Sequence, residues 1–373
     1  MDELRRMYEQ YSAMPHGPAR AEFIRGAVKR SDELQDHGWQ LANRFNLSLE
    51  IRFHGDAGKV LPIIAEYISL FEKKYFHTDE RPSSKQIDSY LYMHDIAMCV
   101  WEDLPQLSRL QWDEFLKKYW AALLRYHYGK ADYYHCQYFQ LRKEGKFDEA
   151  EVMYQNWEAD IATGFIQVTD CLGCRQYFHV QHALHQDNWE KALEEAQPIL
   201  DGTFTCIQRP WKVLTLLLEY ALRHGNRAGV QEYGVRLVDR MEWDDTADEM
   251  ELMPYYAFYD LPRGFQALEK YFSDMLQSWD QLSLLDEYQF TWLLFIQAAE
   301  TYETVSLSFP QTFPLYRPDG QYQPKELAEW FHQQSLHIAQ RFDQRNGYPY
   351  YQNLLESTWT GMQKIVKTKV DCT

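Results

Sequence analysis

Between Gly129 and Cys206 the chain writes one local plan twice: KADYYHCQYFQLRKEGKFDEAEVMYQNWEAD, then CRQYFHVQHALHQDNWEKALEEAQPIL. Each stretch is an amphipathic pattern, a tight turn, and a second amphipathic pattern of similar length. In the first, Tyr134, Leu141, Gly145, Ala150 and Tyr154 supply an aromatic, a large aliphatic, a turn residue, a small contact residue and a second aromatic. Gly145 leaves helical dihedrals cheaply at a helix end, and Ala150 lets the second helix approach the first closely. A hairpin of this kind has one face it cannot cover alone, so it is stable only when neighbours stack on it. An all-α chain of stacked helical hairpins follows.

The rest of the sequence extends the plan. Residues 1–16 read as a short cap. From Pro18 a long helical pattern runs to Phe53, and the turn HGDAGK and a helix containing Pro62 follow it. HTDERPSS (77–84) reads as a linker. IDSYLYMHDIAMCVWEDL and LQWDEFLKKYWAALLRYHYG flank a break at Leu104-Pro105, and two further hairpins turn at Gly225 and at Pro262–Gly264. Taking Leu110, Ala150, Ala192, Val230 and Ala267 as equivalent positions after each turn gives spacings of 40, 42, 38 and 37. Beyond 279 a strongly apolar helix precedes a stretch broken by Pro310, Pro314, Pro318 and Pro324. An unstructured connection of that length is uncommon and often functional. The expected organisation is a cap with a first hairpin (1–76), central repeats (77–278), and C-terminal helices with a Pro- and aromatic-rich loop at 305–324 (279–373).

Composition matters mainly for partners. Against 55 acidic residues stand 38 Lys and Arg, a net charge of −17. That field repels nucleic-acid phosphates and anionic membrane alike, so neither is an expected partner. No apolar run approaches the length of a membrane span, and the polar start lacks the apolar core of a secretion signal. Six cysteines without a dense spacing framework point to a reducing, cytoplasmic setting.

The chemistry-bearing motifs are few. GxxxxGK[ST], GxGxxG after a strand, HExxH and GxSxG do not occur, and no carboxylate pair is singled out by spacing. No catalytic residue is assigned, and the chain is expected to be non-enzymatic. The most specific feature is Cys171-Leu172-Gly173-Cys174 with Cys206 one repeat later. Stacked hairpins would bring the three thiols together at a helix N-terminus, where the dipole favours a thiolate. They can be read as joint-filling residues, as a redox pair, or as three zinc ligands awaiting a fourth from Cys136, His179 or Asp170. Zinc is the one cofactor the sequence admits. His179, His182 and His185 share one helix face, as groove residues or as a pH- or metal-sensitive patch.

DCLGC, then ALEEAQPILDGTFTC, then Pro210 resembles the middle section of a group of uncharacterised bacterial tetratricopeptide-repeat proteins, and FDQRNG at 342–347 resembles a late motif of that group. The resemblance implies a bacterial origin and a tetratricopeptide-like, right-handed solenoid of about six or seven hairpins. It implies no activity. The length and all-helical layout are more loosely similar to Rap-like peptide-pheromone regulators, an analogy of fold.

In a tetratricopeptide stack the first helix of each hairpin lines the concave face. That mapping turns Asp132, His135, Phe139, Arg142 and Lys143 inward in one hairpin, and Lys212, Thr215, Glu219 and Arg223 in another. Such a mixture of cations, carboxylates and aromatics suits an extended peptide; the plainer alternative is a solvated face with no ligand. The expected function is therefore capture of a protein or peptide in a concave groove. A peptide-gated regulator and a zinc or redox sensor at the three cysteines are the alternatives.

Overall fold

The structure, a computed structural model, describes residues 2–164, 166–168, 171–204, 206, 209–241 and 249–370. Seventeen α-helices and one two-residue strand pair make up the regular structure among the described residues. Contacts divide the chain into two compact units: residues 1–140 with 148–169, and residues 141–147 with 170–373. The sequence pattern had offered three segments, bounded at 76 and 278.

The first unit holds α1 (Asp2–Ser12), α2 (Pro18–Glu33), α3 (His37–His54), α4 (Val60–Tyr75), α5 (Ser84–Glu102), α6 (Arg109–Tyr126), most of α7 (Ala131–Lys143) and nearly all of α8 (Phe147–Ala162). Each helix from α1 to α6 packs on the next. The pattern read as one helix from Pro18 to Phe53 is two helices. The chain breaks at Gln35, which takes a left-handed φ of 52°. Asp36 then caps α3 by accepting a hydrogen bond from the Trp39 N–H at 3.2 Å. Apolar periodicity runs through that break unchanged, so period alone hides it. Ser83 and Ser108 open α5 and α6 with reciprocal Ser–Gln capping boxes.

The second unit holds α9 (Leu172–His185), α10 (Trp189–Leu200), α11 (Arg209–Arg223), α12 (Arg227–Met241), α13 (Met253–Tyr259), α14 (Leu261–Gln277), α15 (Gln281–Ala299), α16 (Pro324–Asn346) and α17 (Tyr350–Val370). Its core is continuous from Val180 to Ile365. α15 is apolar nearly all round, with Leu284, Leu285, Phe290, Leu293, Leu294 and Phe295 buried. Successive helices pack in order, and α17 then returns to pack on α11. Gly361 makes that crossing possible: a Cβ there would lie 1.9 Å from the Leu222 carbonyl oxygen.

Of the equivalent post-turn positions, Ala150, Ala192, Val230 and Ala267 are buried. Leu110 is 68% exposed, whereas Trp112 two residues on is fully buried. The Ser108 cap fixes where α6 begins and so turns Leu110 outward. Gly145 takes a φ of 73° at the end of α7, the left-handed conformation its turn requires. The Pro-rich stretch is no open loop. Val305–Ser306 pairs antiparallel with Gln321–Tyr322, and Phe309, Phe313 and Tyr322 enter the core, Phe272 and Phe309 lying 4.2 Å apart between ring centroids. The prolines exclude helix while the aromatics between them are buried, which makes this segment a plug.

Candidate functional site

Three thiols meet at the start of α9. Cys171 is the N-cap, its Sγ accepting from the Cys174 N–H at 3.4 Å. The sulfurs of Cys171 and Cys174 are 3.5 Å apart, and all three, with Cys206, lie within 4.8 Å of one another. No bond joins them, and Cys171 is exposed. Burial pushes the Cys171 thiol up, but the Cys174 N–H, the two neighbouring thiols and the Gly173 N–H outweigh it and hold the thiol below its ordinary value. Tetrahedral zinc with bonds of about 2.3 Å would place sulfurs just under about 4 Å apart, so the trio needs only small adjustments to ligate it. Cys206 also lines a cleft with Phe204, Pro210 and Arg240. His179 does not converge with the three sulfurs. Cys136 is buried in the first unit, and Asp170 lies outside the described residues.

In the second unit, three of the mapped groove residues line a single cavity of about 210 Å³: Lys212, Thr215 and Glu219 of α11. Its other walls include Tyr177 of α9, Glu251 from the short 3-10 turn at Glu249–Leu252, and Asp286, Glu287 and Phe290 of α15. Glu251 accepts from Trp211 Nε1 at 2.5 Å, from Thr215 Oγ1 at 2.6 Å and from Lys212 Nζ. Arg223 Nη2 meets Glu219 at 2.9 Å. Burial raises the Glu219 carboxyl despite the Arg223 charge. Asp286 is pushed up to about 8, by burial first and then by the Glu219 charge. Glu251, Asp286 and Glu287 carry no helical-repeat signature, and the sequence reading missed them. A carboxylate pair in the second turn of an otherwise largely apolar α15 was the available signal.

The remaining mapped residues are less open than expected. Lys143 is buried, and half-buried Arg142 donates from Nη2 to the His185 carbonyl at 3.4 Å while lying over the Phe147 ring. Nearby, burial drives His185 well below its ordinary value, helped by Arg142, His182 and Arg223. In the first unit, Asp132 is buried and accepts from the Val168 N–H at 3.1 Å, a structural duty. His135 and Phe139 are half-buried and stack edge to face. Cys99 of α5 is exposed, yet burial together with the Asp95 and Glu102 charges pushes its thiol well up.

No family model matches the chain, and comparison with curated proteins and with solved structures finds no match. No described helix is long and apolar enough to cross a membrane.

Proposed function

We propose that the chain is a non-enzymatic, tetratricopeptide-like solenoid of the reducing cytoplasm that captures a protein or peptide segment along the first helices of its hairpins. The observation that carries this reading lies in the second unit, where half-buried groups whose titration burial shifts fall at His185 on α9, Glu219 on α11 and Asp286 on α15, each the first helix of its pair. Ordinary outer faces do not desolvate a group that remains open to water. A displayed peptide library selected on the full chain is expected to yield binders weakened about tenfold by His185→Gln or Glu219→Gln. Glu194→Gln, on the exposed face of α10, is expected to leave them unchanged. Binders indifferent to the first pair, or equally sensitive to all three, would overturn the proposal.

A second reading rests on the three sulfurs: a structural or sensing zinc site. Reduced full-length protein dialysed against cobalt(II) is expected to take up about one ion per chain with thiolate-to-metal absorption. Cys171→Ser and Cys206→Ser should each abolish that absorption. Uptake without a thiolate band, or no uptake, rejects the site.

A further inference from the structure

We propose that the cavity between α11 and α15 takes an organic cation, an ammonium or guanidinium group, as the missing partner of Asp286. Around it, Glu251 is met by Lys212, Trp211 and Thr215, and Glu219 by Arg223. Among the described residues no hydrogen-bond donor and no cation at ion-pair distance meets Asp286. Asp286 is part-buried in the cavity wall beside the Glu219 carboxylate, and a carboxylate held in a recess beside another is favoured in its charged form by a cation that enters from outside. Among the described residues, the carboxylates Glu219, Glu251, Asp280 and Glu287 surround Asp286 against the two cations Lys212 and Arg223, so the local field favours an added positive charge.

Size and wall chemistry narrow the ligand. About 210 Å³ is smaller than the roughly 300–1,000 Å³ of drug-sized sites and suits the head of one basic side chain. Tyr177 and Phe290 add aromatic wall of the kind that accepts an alkylammonium or a guanidinium plane. A dehydrated divalent ion is disfavoured, because among the described residues the only group of three or more candidate ligands at metal spacing is the cysteine trio. The charged groups facing Asp286 are Glu219, Arg223 and Lys212 from α11, Glu251 from the 3-10 turn, and Asp280 and Glu287 of its own segment. From α16, Arg341 reaches only the first residue of α15, Gln281. Since the Asp286 carboxyl is held protonated near neutrality by burial and Glu219, an entering cation displaces that proton.

The cation can come from a peptide side chain, in which case this inference rests on the groove reading, or from a free small amine or guanidine. Calorimetric titration of the full chain at neutral pH separates the two. Agmatine and N-acetyl-arginine methylamide are expected to bind with release of about one proton. The neutral citrulline analogue is expected to bind at least about tenfold more weakly, and Asp286→Asn should weaken the cationic probes by at least about tenfold without lowering the melting temperature. Cationic probes that fail to bind, that bind no better than the citrulline analogue, or that bind the Asp286→Asn protein equally well overturn the proposal, whatever the peptide library yields. If the free probes bind and no arginine- or lysine-bearing peptide binds more tightly than they do, the cation site stands and the groove reading falls.

Discussion

His94 is the residue at which this fold gives up most for packing. It is fully buried, and neither ring nitrogen has a hydrogen-bond partner. It lies among Tyr90, Phe115 and Tyr119, the Tyr119 ring stacked at 5.6 Å. Burial, aided by Lys118, drives its pKa from 6.5 to about 3. In that window the unfolded chain binds a proton that the folded chain refuses, so His94 lowers stability as pH falls from about 6.5 towards 3. Asp286 has the opposite sign: its folded pKa, about 8 against an unfolded 3.8, makes it lower stability as pH rises across that range. His94→Phe is expected to flatten the loss of stability as pH falls from about 6.5 towards 3, and Asp286→Asn the loss as pH rises from about 4 to about 8. Each should raise the plateau by about 2–4 °C per kcal/mol recovered. Limbs that keep their slopes in the variants would refute the assignment. Neither residue could be singled out from sequence. His94 sits at an ordinary core position, and what isolates it is contributed by a different helix.

At the scale of elements, the hairpin turns were the legible part. Gly145 and Gly225 end helices with left-handed φ, and the small or apolar residues after three turns, Ala150, Ala192 and Val230, are buried as their spacing requires. The break between α2 and α3 was hidden because a three-residue turn at Gln35 conserves helical periodicity. The 305–324 plug was hidden because proline content reads as loop, whatever the aromatics between the prolines bury. The return of α17 onto α11 was also beyond local pattern, since a glycine inside a helix costs about 1 kcal/mol and gives no sign of what lies opposite. Gly361 is there because α11 backbone occupies the place of its Cβ. Gly361→Ala is expected to destabilise the second unit by about 2 kcal/mol or more through overpacking, read as a lowered denaturant midpoint in unfolding followed by circular dichroism. A midpoint at or above that of the parent protein would mean that α17 does not dock there.

For the whole molecule, the sequence by itself determined that the chain is built from helices, that most of them pair across short turns, and that the summed charge is −17. Those properties are local or additive: dihedral preference, apolar period and summed charge need no knowledge of distant contacts. It also singled out Cys171, Cys174 and Cys206, whose sulfurs lie within 4.8 Å of one another. Only the tertiary structure decided that the chain forms two compact units divided near residues 140 and 170, that Lys143 and Asp132 are buried, and that Lys212, Thr215 and Glu219 share a cavity with Asp286. Burial and desolvation depend on every neighbour at once, and neighbours brought from more than sixty positions away leave no mark on the residue that they surround.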